Sequence, residues 1–85
     1  MKIEEQIRNY IIQNLLYGDN NVRFDNDDSF LQKRVVDSIG VLQLVIFVEK
    51  TFKLVVDEEE ITPDNFDSVN KLANYIRRKA PSLPH

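Results

Sequence analysis

Residues 37–52 read Asp37-Ser38-Ile39-Gly40-Val41-Leu42-Gln43-Leu44-Val45-Ile46-Phe47-Val48-Glu49-Lys50-Thr51-Phe52. An apolar run of this length behind an Asp-Ser pair predicts a helix from near Ser38 to near Phe52. Either Asp37 or Ser38 can cap it, because both side chains carry oxygens that accept from the free N–H groups of a first turn. On a wheel of about 100° per residue, Val41, Leu44, Val45, Val48 and Phe52 share one broad face. That face is the core side, since each such side chain gains roughly 1.5–3 kcal/mol on full burial. Ile39, Leu42 and Ile46 fall on a second stripe almost opposite, bordered by Gln43, Glu49 and Lys50. A surface helix in a small domain needs one apolar face. The second stripe is therefore either exposed for a partner or covered by the long loop that precedes the helix.

Working outward, Ile3, Ile7, Tyr10, Ile11 and Leu15 recur at helical spacing and predict a first helix from about Lys2 to Leu16. Gly18 reads as its stop. Residues 17–36 form a long polar connection, which needs anchors of its own; Val22, Phe24, Phe30 and Leu31 are the candidates. Beyond the central helix, Lys53-Leu54-Val55-Val56 reads as a short extended link. Glu58–Glu60 suits one helical turn capped by Asp57, and Pro63 suits the first position of another. The last helix should run from about Ser68 to Lys79, capped by Asp67 or Ser68. Val69, Leu72, Ala73 and Ile76 should face inward, with Arg77-Arg78-Lys79 at the negative end of the dipole. The expectation is an all-α fold, a small bundle of three main helices plus one short helix. It occupies residues 1–80, with residues 81–85 a disordered tail.

Composition narrows the functions open to such a bundle. At 85 residues, the chain buries only roughly 60–65% of its unfolded surface, too little for a deep cleft with supporting shells. An enzyme is not expected, and no acid–base constellation is visible. The chain has no cysteine, which excludes disulfides and zinc–thiolate sites. Its single histidine, His85, lies at the terminus, so no metal site or histidine-based triad is expected. Asp25, Asp27 and Ser29 imitate the start of a calcium loop. Phe30 and Val36 stand where such a loop needs glycine and glutamate, so the segment reads as a solvated turn. A net charge of −3 disfavours nucleic acid and anionic membranes and fits basic protein partners. No run is long enough to span a membrane. The charged start Met1-Lys2-Ile3-Glu4-Glu5 lacks a signal-peptide core, so a cytoplasmic monomer is expected.

Ser38 itself has two readings. It can be a plain cap. It can also be an attachment point, because the positive end of a helix dipole favours a phosphate on that hydroxyl. In the second reading Asp37 caps the helix or helps to hold metal in a modifying enzyme, and Gly40 keeps the first turn open for approach. Phe47, between the two faces, reads as a packing residue that could also anchor the loop or gate a pocket.

The stretch Asp37-Ser38-Ile39-Gly40-Val41-Leu42-Gln43-Leu44-Val45-Ile46-Phe47-Val48-Glu49 resembles the attachment site and second helix of the acyl carrier protein family. The likeness extends over nearly the whole chain: first amphipathic helix, long loop, central serine, short third helix and last helix. It implies that Ser38 bears a 4′-phosphopantetheine arm, placed there by a phosphopantetheinyl transferase, with Asp37 beside it. It implies that the arm's thiol holds an acyl or aminoacyl group as a thioester. Activating ligases, synthases or transferases of fatty-acid or specialised secondary metabolism would load and receive that group. It further implies that Ile39, Leu42, Gln43, Ile46 and Glu49 meet partner enzymes, with acidic residues around them steering basic docking patches.

The sequence departs from the fatty-acid-synthesis pattern in places. Gly40 replaces an acid just after the motif, and of Gln43, Glu49 and Lys50 only Glu49 keeps the family's charge. The segment from Glu60 to Val69 and the upstream Ser29-Phe30-Leu31 are similar to stand-alone carriers loaded by adenylating ligases. That favours a specialised pathway. The alternative is an unmodified helical adaptor that uses the Ile39/Leu42/Ile46 stripe to bind a partner helix.

Overall fold

The computed structural model describes residues 2–16 and 23–80. The expectations at Gly18, Val22, His85 and the 81–85 tail lie outside the described residues. Four α-helices, α1 (Ile3–Tyr10), α2 (Ser38–Phe52), α3 (Pro63–Phe66) and α4 (Val69–Lys79), make an all-α bundle, with no strand among the described residues. A 3₁₀ turn at Glu58–Glu60 precedes α3.

The core forms where the apolar spacings said it would. Ile3, Ile7 and Ile11 from the first helical segment meet Leu44, Val48 and Phe52 of α2 and Val69, Leu72, Ala73 and Ile76 of α4, all buried. Val41 and Val45 pack against this cluster only partly buried. Tyr75 is a buried member that the helical spacing did not single out. Its ring lies 5.3 Å from that of Phe66, and its hydroxyl donates to Glu60 Oε1 at 3.0 Å. The same carboxylate oxygen accepts from Lys79 Nζ at 2.9 Å, so the Glu58–Glu60 turn is pinned to α4. Lys79 holds the Glu60 carboxyl below its ordinary range, while burial and the Glu60 carboxylate push the Tyr75 hydroxyl up.

The first helical segment is not α-helical to its end. After Tyr10 the chain widens into a π turn over Ile11–Leu15, closed by Leu16 N–H donating to Ile11 O at 2.9 Å. Such widened turns take more residues per revolution. Here Leu15 and Leu16 stay packed on the core as the segment ends. The α1–α4 contact carries a two-pronged ion pair, with Arg77 Nη1 and Nη2 on Glu4 Oε2 and Oε1 at 2.8 and 2.9 Å.

Element ends follow local chemistry. Lys53 takes a left-handed conformation, φ 57°, and ends α2. Leu54, Val55 and Val56 then alternate half-buried, exposed and half-buried, as an extended link does. Asp57 and Glu60 form a capping box. Pro63 occupies the first turn of α3. Of the two candidate caps for α4, Ser68 serves: its Oγ accepts from Lys71 N–H at 3.0 Å. It thereby stands just outside the helix, which starts at Val69.

Candidate functional site at the start of the central helix

The segment that delivers the chain to α2 is held on both sides. Arg8 of α1 donates to Phe24 O at 2.8 Å and to Asn26 Oδ1 at 3.1 Å, with its guanidinium 4.3 Å from the centre of the Phe24 ring. From the other side, Asp67 receives Ser29 Oγ–H at 2.6 Å and Leu31 N–H at 3.2 Å, and its carbonyl receives Phe30 N–H at 2.7 Å. Asn70 adds its N–H to Asn26 O and its amide to Asp27 Oδ1. Asp27 and Ser29, two of the calcium-loop mimics, thus spend their polar groups on tying the turn to the start of α4.

Phe24 and Phe30 are buried anchors, as expected. Leu31 is not: it is 73% exposed. The anchors that spacing missed are Val35 and Val36, both buried. Arg34, at φ 55°, turns the backbone so that Val35 N–H reaches Phe30 O at 2.9 Å. Val36 and Val41 occupy the N′ and N4 positions of a hydrophobic staple and line the same cavity. An apolar pair just before a capping aspartate is the signal that could have found them.

At the helix start the two candidate caps separate. Asp37 is the N-cap, its Oδ1 accepting from Gly40 N–H at 2.7 Å. Ser38 is the first helical residue and is exposed. Its hydroxyl has no hydrogen-bond partner among the described residues. It opens onto a cavity of about 170 Å³, whose apolar wall comes from Leu31, Val36, Val41, Ile61, Pro63 and Phe66. Gly40 does not leave the first turn open. It is buried, and a Cβ there would sit 2.8 Å from Val36 Cγ1, 3.3 Å from Asp37 Oδ1 and 3.6 Å from Leu15 Cδ1. Its role is close approach between α2, the end of the loop and the π turn.

Below Ser38 the second stripe is exposed rather than covered by the loop: Ile39 is 67%, Leu42 58% and Ile46 52% accessible. Gln43 is exposed beside them, its carbonyl facing the Tyr10 hydroxyl at 3.4 Å. Phe47 stacks on Tyr10, ring centres 4.3 Å apart, and meets Phe52 edge-on, so it packs α2 against α1. Glu49, three residues beyond Ile46, borders the stripe. It is half-buried, and its Oε2 accepts from Val56 N–H at 3.0 Å.

An exposed, unpartnered serine hydroxyl at a helix start, beside an apolar cavity and an apolar helix face, can accept a group and present it. Comparison with known proteins agrees. No family model matches the chain. It is, however, similar to the D-alanyl carrier protein of Streptococcus suis (strain 98HAH33), 32% identical over 76 residues that span 89% of this chain and 92% of that protein. The chain belongs to the acyl carrier protein family. The acyl carrier protein of Phytoplasma mali (strain AT) is 30% identical over 89% of this chain and 86% of its own length. Acyl carrier protein AsbD of Bacillus anthracis is 34% identical, but over 59% of this chain and 55% of that protein. The bundle is thus a carrier. No described helix is long and apolar enough to cross a membrane.

Proposed function

We propose that this carrier bears a 4′-phosphopantetheine arm on Ser38 and hands an acyl or aminoacyl group between enzymes. The observation that carries the reading is the division of labour at the helix start. Asp37 satisfies the first turn, which leaves the Ser38 hydroxyl exposed and unbonded among the described residues. A phosphodiester there would lie at the positive end of the α2 dipole, where negative charge is favoured. The bound arm would supply a thiol that holds the carried group as a thioester. Everything else falls to the chain's own residues. Asp37 and the Val36–Val41 staple fix the position of Ser38. The apolar cavity beside it offers a dry wall to whatever the arm holds. Ile39, Leu42, Gln43 and Ile46 form the face on which partners dock. The chain does no chemistry of its own and has no thiol to compete with the arm.

The group carried is better read as aminoacyl, loaded by an ATP-using ligase, than as a growing fatty-acyl chain. Two of the similar proteins are named D-alanyl carrier proteins. In addition, Ser29-Phe30-Leu31 and the Asp67 segment, which set this sequence apart from the fatty-acid pattern, meet through three hydrogen bonds.

Incubation with coenzyme A and a broad-specificity phosphopantetheinyl transferase should add one arm, seen by intact mass, and Ser38→Ala should add none. No gain in the wild type would leave an unmodified adaptor as the reading, and an equal gain in the variant would place the arm on a residue other than Ser38. A panel of activating ligases, one for D-alanine among them, then identifies the load by mass.

A further inference from the structure

The segment that carries the docking face has the opposite charge to the chain as a whole. Residues 32–53 hold Lys33, Arg34, Lys50 and Lys53 against Asp37 and Glu49, a net of +2, whereas the rest of the chain holds −5. Both of those carboxylates are engaged by backbone N–H groups, Asp37 by Gly40 and Glu49 by Val56. All four cations are exposed, and none is paired with a carboxylate among the described residues. Their places are specific. On the wheel, Lys50 follows Ile46 by one turn and lies within the apolar stripe. Lys53 ends the helix. Arg34 lines one cavity together with Ile39 and Gln43, so it stands at the opposite end of the stripe. The result is an apolar centre with Lys50 and Lys53 at one end and, at the other, Arg34 sharing a cavity with Asp37 next to the Ser38 attachment point; about 16 Å separates Ile39 from Lys50 at 1.5 Å per residue.

We propose that this face docks on proteins whose apolar recess is flanked by carboxylates, so that the partners of this carrier present acidic rather than basic rims. The proposal rests on the reading of the Ile39–Ile46 face as the partner surface. Rim charges act on encounter and on the choice of partner, and salt weakens them. A protein fits better than a lipid surface. The exposed arc offers three aliphatic side chains and no aromatic one, and the acidic remainder of the molecule would be repelled by anionic lipid.

The test uses the isotope-labelled holo protein and two helical peptides with the same leucine face, one carrying glutamates at both ends and the other lysines. Amide resonances of residues 38–50 report binding. The glutamate peptide should bind about tenfold more tightly at low salt. The preference should vanish at high salt and reverse in the Lys33→Glu/Arg34→Glu/Lys50→Glu/Lys53→Glu variant. Equal or tighter binding of the lysine peptide, or no binding of either, overturns the proposal. So does a larger response to phosphatidylglycerol vesicles than to the glutamate peptide. Intact mass of the same sample reads arm attachment separately, so a failed docking test and a failed assignment of Ser38 are told apart.

Discussion

Gly40 shows what one residue contributes and why its departure from the family pattern is physical. The resemblance puts an acid at this position, but the structure leaves room for a hydrogen atom only. A Cβ would meet Val36 Cγ1 at 2.8 Å, and Val36 is a short, buried side chain that cannot swing away. The next contact, 3.3 Å to Asp37 Oδ1, is with the oxygen that caps α2. Elsewhere in a helix, glycine to alanine gains up to about 1 kcal/mol from propensity alone. Here overpacking opposes it, at a typical cost of about 1–3 kcal/mol. Gly40→Ala should therefore lower stability in urea titration by about 1 kcal/mol net and slow arm addition by displacing the cap. A variant more stable than the wild type would show that the loop yields freely and that the contact does not matter. The sequence could show that an acid was missing at residue 40. It does not show why, because no helical period marks Val36, in the loop before the helix, as a buried neighbour.

Among the elements, the join between α1 and α4 has a defined pH dependence. The hydrogen bond from Arg77 is the main reason why the Glu4 carboxyl lies below its ordinary value of 4.5. A carboxyl whose pKa is lower folded than unfolded contributes stability that is fully present above the unfolded value. The contribution is lost as pH falls through the folded one. The pair is partly exposed and two-pronged, so it is worth about 1 kcal/mol. Wild type should exceed Glu4→Gln by that amount at neutral pH, and the gap should close only below about 4.5. Urea titrations across that range check it, and a gap that does not change with pH would assign the effect to packing. Local signals were legible at this scale. The ends of α2, Pro63 at the start of α3 and the Ser68 cap all follow from neighbours in sequence. The π turn after Tyr10 and the Asp67 clasp on residues 29–31 do not. The clasp joins residues 36 to 38 positions apart, and no periodicity records that. The same limit applies to Leu31: its N–H is what Asp67 holds, and its side chain is left outside.

Taken whole, the molecule completes its core without the Ile39/Leu42/Ile46 stripe. Every main element contributes buried residues, and from α2 these are Gly40, Leu44, Val48 and Phe52. The separation of the two faces could be read from the wheel, because both follow one helical period. The exposure of the second face could not, since only the path of the loop decides whether it is covered. Two substitutions two residues apart test that separation. Leu42→Asp removes an exposed side chain, so its cost is mainly helix propensity and should stay below about 1 kcal/mol. Leu44→Ala opens the core and should cost about 2–5 kcal/mol. Transfer of the carried group should behave in the opposite way. Leu42→Asp removes apolar contact from the docking face and adds a carboxylate among its cations, so it should be loaded and unloaded several-fold more slowly while remaining folded. Leu44→Ala, assayed well below its lowered melting temperature, should keep normal transfer. Thermal melts and transfer rates on the same two samples decide the matter. If Leu42→Asp unfolds the bundle, the stripe belongs to the core; if it is stable and transfers normally, partners dock elsewhere.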